Sequence, residues 1–120
     1  MIKIKRVYET PDKQDGARVL VDRLWPRGVN KEKAKIDLWV RQVAPGDDLR
    51  TWFSHDPEKW DAFRQRYFKE LDNLAGGRDL LDPVITRARK GTITLLYAAK
   101  DKRYNNAVAL AEYLHDRYKV

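Results

Sequence analysis

Three short stretches hold most of the side chains able to do chemistry. The densest is Asp22-Arg23-Leu24-Trp25-Pro26-Arg27-Gly28. Two guanidiniums can grip a phosphate or carboxylate in bidentate fashion, while Asp22 serves as a base or orients a bound group. Trp25 is held extended by the proline after it, and Pro26-Arg27-Gly28 suits a tight turn that draws Asp22, Arg23 and Arg27 together. A structural alternative stands beside this: Asp22 pairs with an arginine, and Trp25 plugs the core. The second stretch, Lys100-Asp101-Lys102-Arg103-Tyr104-Asn105-Asn106, puts cations and an aromatic ring ahead of a helix start. Free amides and partial positive charge at a helix N-terminus can receive an anion there. Capping by Asn105 or Asn106 accounts for the same residues without a ligand. The third, Ser54-His55-Asp56, has the residue types of a triad, but consecutive side chains rarely aim at one point. His55 alone stays a candidate acid or base, imidazole being the usual proton-transfer group near neutral pH. His115, next to Asp116, reads as a surface residue of the last helix.

Other chemistries are missing from the chain. It has 120 residues, no cysteine, two histidines and one serine, Ser54. Without cysteine there are no disulfides, thiol nucleophiles, zinc knuckles or cysteine-ligated clusters. Dinucleotide, P-loop, nucleophile-elbow and zincin motifs are all absent. No metal site is expected, although carboxylates such as Asp22, Asp47, Asp48 and Asp101 suit magnesium in principle, and no cofactor is specified.

Charge suggests the kind of partner. There are 25 basic and 18 acidic residues, a net +7, unevenly spread. Residues 1 to 36 carry ten basic and five acidic side chains, residues 37 to 77 six and eight, and residues 78 to 120 nine and five. A basic face folded from the two ends would attract phosphates, nucleic acid or other anions, whereas a dispersed excess would serve only solubility. No apolar run approaches the roughly 20 residues of a membrane span, and the start of the chain alternates instead of forming a leader. The expectation is a cytoplasmic protein with no membrane partner.

These stretches need elements to position them. Ile2–Val7 alternates like a strand with one solvated face, and Arg18–Leu24 reads as a more buried strand. Ile36–Val43 reads as a third, and the unbroken apolar run Thr92–Ala98 as the central one. Helices are expected over Asp47–Phe53, from Asp56-Pro57 to the Gly76-Gly77 pair, over Asp79–Lys90, and after Asn105 or Asn106. Trp39, Trp52, Phe53, Trp60, Phe63 and Tyr67 have the spacing of core residues rather than of a base-stacking platform. The pattern is that of an α/β, Rossmann-like layered single domain over residues 1–120, with about four mainly parallel strands and flanking helices. Only about ten residues join the first two strands, fewer than a helical crossover needs, so they form a hairpin or are joined by bare loop. In such sheets ligands bind beyond the carboxyl ends of the strands, where the first two stretches lie.

Arg18–Gly28 (RVLVDRLWPRG), Trp39–Tyr67 and Thr94–Leu110 (TLLYAAKDKRYNNAVAL) together resemble the YeaO-like family, domain of unknown function 488, in order and over nearly the whole chain. The resemblance implies a small Rossmann-like α/β domain of unassigned activity. It carries over Asp22, Arg23, Trp25, Pro26, Arg27, Gly28, His55, Lys100, Asp101, Asn105 and Asn106. In one branch of the family the last strand is followed by a cysteine and a His-Arg pair. Here Asn105-Asn106 stand instead, so thiol or histidine chemistry does not transfer.

The expectation is an enzyme or binding domain for a small anionic, phosphate- or nucleotide-like ligand. Asp22, His55 and Asp101 are the candidate catalytic groups, and Arg23, Trp25, Arg27, Lys100, Asn105 and Asn106 the candidate ligand contacts. The alternatives are a basic nucleic-acid-binding accessory domain without a recognised motif, or a non-catalytic partner-binding protein. Nothing in the sequence specifies substrate or oligomeric state.

Overall fold

The computed structural model describes all 120 residues, and its centre is the strand with the least polar sequence. β4 (Ile93–Tyr97) is buried at every position. A strand apolar on both faces can satisfy its backbone only between neighbours, and β4 lies between β1 (Ile2–Arg6) and β2 (Ala17–Leu20), with β3 (Leu38–Trp39) outside β2. All pairings are parallel.

That order settles the first connection. β1 and β2 form no hairpin, because β4 is inserted between them. The chain crosses β4 through residues 7–16 as loop with one 3-10 turn at Lys13–Asp15. Two expected strands are also shorter. β2 stops at Leu20, and the third survives only as Leu38–Trp39 before a 3-10 turn at Arg41–Val43. Pairing with β2 is limited to Val19–Leu38 and Leu20–Trp39, so residues on either side have no partner strand to keep them extended.

Four helices follow their sequence signals closely. α1 is Asp47–Phe53, α2 Trp60–Asp72, α3 Gly77–Lys90 and α4 Asn106–Tyr118. Asp56 caps as expected, its Oδ1 accepting the Glu58 amide at 3.0 Å, but Pro57–Lys59 makes a separate 3-10 turn before α2. α2 ends four residues short of Gly76, at Asp72. Its stripe Phe63, Tyr67 and Leu71 is buried, and the buried Tyr67 hydroxyl donates to the Val43 carbonyl at 2.5 Å. Burying a ring such as Phe63 contributes roughly 1.5–3 kcal/mol.

The two faces of the sheet are covered differently. Val19, Val21, Ile93, Leu95 and Tyr97 pack with the buried residues of all four helices. On the other face Leu20 and Leu96 meet Val7 and Ile36, covered by Val29 and Ala34 from the loop between β2 and β3 and by Trp39 of β3. Beyond that small apolar patch the second face turns polar at the Asp15–Arg18 ion pair, 2.5 Å between Nη1 and Oδ2, with Lys5 Nζ 3.2 Å from the same oxygen. No helix is long and apolar enough to cross a membrane.

Candidate functional site

The polypeptide leaves β2 and β4 side by side, and the two exits are tied together by one carboxylate. Asp22 Oδ2 accepts the Ala98 amide at 2.9 Å, and Oδ1 accepts from Asn106 Nδ2 at 3.0 Å. Asn106 also donates to the Val21 carbonyl at 3.1 Å. One asparagine at the start of α4 thus joins α4 to the end of β2. Burial pushes the Asp22 carboxyl above its ordinary pKa, against the hydrogen bonds from Asn106 and Ala98 and the neighbouring Arg50 and His55.

Above this carboxylate opens a cavity of about 300 Å³. Arg23, Trp25, Arg27, Arg50, His55 and Asn106 line it together with Asp22, over a floor that includes Phe53 and Phe63. The floor is rigid. Phe53 and Phe63 stack at 4.3 Å, and Trp60 and Phe63 at 5.7 Å. Arg23 is anchored to the start of α1: its Nη2 donates to the Ala44 carbonyl at 3.0 Å, its Nε to that of Pro45 at 3.3 Å. Trp25 does not plug the core. It stays 36% exposed, edge-on to Trp39 at 5.2 Å, with Nε1 donating to the Val29 carbonyl. Arg27 is exposed and makes no ion pair, and Asp22 pairs with no arginine. His55 reaches the cavity because Ser54 and His55 both take left-handed backbone (φ 48° and 57°), turning the chain sharply out of α1.

The second stretch divides. Asn106 lines the cavity, whereas Lys100, Asp101 and Asn105 do not. Asp101 organises its own loop: Oδ1 accepts the Tyr104 and Arg103 amides at 3.0 and 2.8 Å, which hold its pKa below the ordinary value. Asn105 is the cap. Its side chain accepts the Val108 amide at 3.0 Å and donates to the Asp101 carbonyl at 3.0 Å, from a buried position. Asn105→Ala is therefore expected to lower stability by about 1–2 kcal/mol, read from urea unfolding. A loss below a few tenths would remove its capping role. Lys100 lies exposed on the rim loop.

Arg50 is the residue that sequence reasoning missed. It sits on α1 three residues after Asp47, a spacing that signals only a helical ion pair, which it also makes at 3.2 Å. Its place in the cavity depends on where α1 docks. No three histidine, aspartate or glutamate side chains converge as a metal-binding group. The arrangement can receive an anion among Arg23, Arg27, Arg50 and His55, and can accept a hydrogen bond through Asp22.

Comparison with known proteins gives one family. The family model described as the inactive DUF488-N3 subclade matches residues 1–120. The chain is similar to the uncharacterized protein YeaO of Escherichia coli, 40% identical over 94% of this chain and 96% of that one. It is also similar to an uncharacterized protein of Mycobacterium tuberculosis, 36% identical over 97% of this chain and 95% of the other. No solved structure matches significantly.

Proposed function

The chain belongs to the DUF488-N3i family, an inactive subclade with YeaO among its relatives, and from that premise we propose that it binds a small anionic, phosphate- or nucleotide-like ligand without transforming it. The observation behind this reading is the cationic hollow beyond the carboxyl ends of parallel strands, the usual ligand position in open α/β sheets. A volume of about 300 Å³ lies at the small end of ligand pockets.

Each side chain then has a role. Arg27, exposed and free of ion pairs, closes on the anion, with Arg50 and His55 lining the same cavity and Arg23 held in place by the Ala44 and Pro45 carbonyls. Trp25 offers a fixed ring at the mouth. Asp22 keeps lone pairs beyond those used by Ala98 and Asn106, so it can accept a hydroxyl of the ligand. Asp101 and Asn105 act as positioning residues for the start of α4, and Lys100 adds field without contact. A non-catalytic role agrees with the subclade's description and with the side chains present. There is no cysteine, and Ser54 lies outside the cavity lining, so no such group stands ready for covalent attack.

Arg27→Ala provides the test, with inorganic phosphate and adenosine monophosphate as probes in calorimetric titration. Loss of one charged contact should weaken binding about tenfold or more. Stability should stay within about 0.5 kcal/mol, because the side chain is exposed and only the Arg27 carbonyl is engaged, by Tyr8. Unchanged affinity for both probes would refute the role of Arg27. Binding of neither probe by the unaltered protein would refute the anion site.

A further inference from the structure

We infer that the cavity is the end of a longer track, and that the partner this surface fits is a single-stranded nucleic acid, its terminal nucleotide in the hollow. The inference rests on the anion reading above and extends it from a free ligand to the end of a polymer.

The first observation is a pair of half-exposed, immobilised rings beside the cavity. Tyr8, just past β1, is 48% exposed. Its hydroxyl donates to the Arg27 carbonyl at 3.0 Å, and the Arg6 guanidinium lies 4.9 Å from its ring centre. Arg6 is itself pinned, Nε donating to the Ala98 and Ala99 carbonyls at 3.1 and 2.9 Å. Trp25 is held by Trp39 and the Val29 carbonyl, and Leu24 next to it is 60% exposed. Rings left in water yet fixed in orientation have already lost the freedom that a stacking base would otherwise remove. Every unpaired base has a face to lay on them.

The second observation is the charge of the loop that carries Trp25 and accepts the Tyr8 hydroxyl. Residues 23 to 36 hold Arg23, Arg27, Lys31, Lys33 and Lys35 against one carboxylate, Glu32. Val29, Ala34 and Ile36 turn toward Val7, Leu20 and Leu96, which seats this loop beside the β1 exit and Tyr8. Lys31, Lys33 and Lys35 stay exposed, and none makes an ion pair. The same loop therefore offers unpaired cations for phosphates and, in Trp25, a ring for a base. A duplex hides the faces of its bases, whereas a single strand presents base faces and phosphates in alternation and so uses both features.

The test is fluorescence anisotropy on the full chain with a labelled oligothymidylate about ten nucleotides long, phosphorylated at its free end. The same strand annealed to its complement and thymidine monophosphate serve as comparison probes. The unaltered protein should hold the single strand more tightly than the mononucleotide and the duplex, with affinity falling steeply between about 50 and 200 mM salt. The triple variant Lys31→Gln, Lys33→Gln, Lys35→Gln should flatten the logarithmic salt slope by about 2, at about 0.7 per phosphate contact. Its mononucleotide binding should be unchanged. Tyr8→Ala should weaken the oligomer about fivefold or more while leaving the slope alone. Melting temperatures confirm that both variants fold. An oligomer bound no better than the mononucleotide, a duplex bound equally well, or a triple variant with unaltered slope would each overturn the track and leave the anion site standing. An oligomer held as tightly by Arg27→Ala as by the unaltered protein would overturn the placement of its end in the cavity. Failure of the mononucleotide as well would remove the anion site, and the track with it.

Discussion

Replacing Asp15 by alanine should cost about 3–5 kcal/mol of folding stability, because it strands a buried guanidinium. Asp15 is 3% exposed and Arg18 2%. The carboxylate accepts from Arg18 Nη1 at 2.5 Å, from Lys5 Nζ at 3.2 Å and from the Asp12 amide at 3.0 Å. Arg18 keeps only the Ala34 carbonyl on its Nε once Asp15 is gone, and its Nη2 is buried without any partner. Thermal and urea unfolding at neutral pH would measure the loss, and a change below about 1 kcal/mol would show that Arg18 finds solvent on its own. Adding Arg18→Met to Asp15→Ala should recover much of the deficit, since removing both charges leaves none unpaired.

The same pair sets an acid limit. Burial alone would raise the Asp15 carboxyl, but the Asp12 amide, Lys5 and Arg18 together hold it below its ordinary value. A carboxyl depressed in the folded state stabilises above its unfolded pKa of about 3.9, and that contribution fades as pH falls through the folded value. Stability of the unaltered protein should therefore drop below about pH 4, and the Asp15→Ala variant should show a shallower acid limb. Parallel acid limbs would assign the loss to other carboxylates.

Gly16→Ala should be nearly as damaging, by about 3 kcal/mol or more, for a reason that involves no charge. Gly16 has φ 63°, and a Cβ there would sit 1.9 Å from the Thr92 carbonyl oxygen and 2.7 Å from its carbon. Both are backbone atoms just before β4, so relief requires moving β2 away from the central strand. Gly28 is the control. It has φ 74° with nothing within 4 Å, so Gly28→Ala should cost only the left-handed strain, about 1–2 kcal/mol. Equal losses at the two positions would mean that the approach to Thr92 relaxes.

The contrast between these glycines separates what could be read in advance from what could not. A glycine two positions after a proline announces a turn, and Gly28, following Pro26-Arg27, is legible on that ground alone. Gly16 is demanding because of Thr92, seventy-six positions later, and nothing local reports the meeting. The same holds for Asp15 and Arg18. Arg18 was legible only as the first residue of a more buried strand, whereas its guanidinium belongs to a buried ion network supplied by three separate segments.

Local physics therefore accounts for a great deal. Periodicity and caps located α1, α4 and the central strand, because a helix face or a doubly buried strand must write its apolar pattern into consecutive residues. The Asp22–Gly28 stretch and Asn106 stand at strand and helix ends for the same reason, and these ends are where loops are free to carry polar groups. Strand order, the short β3, the crossover without a helix and the arrival of Arg50 at the cavity belong to tertiary structure. Each depends on which neighbour supplies the missing hydrogen bond or apolar face, and that neighbour lies far along the chain, where no short-range pattern records it.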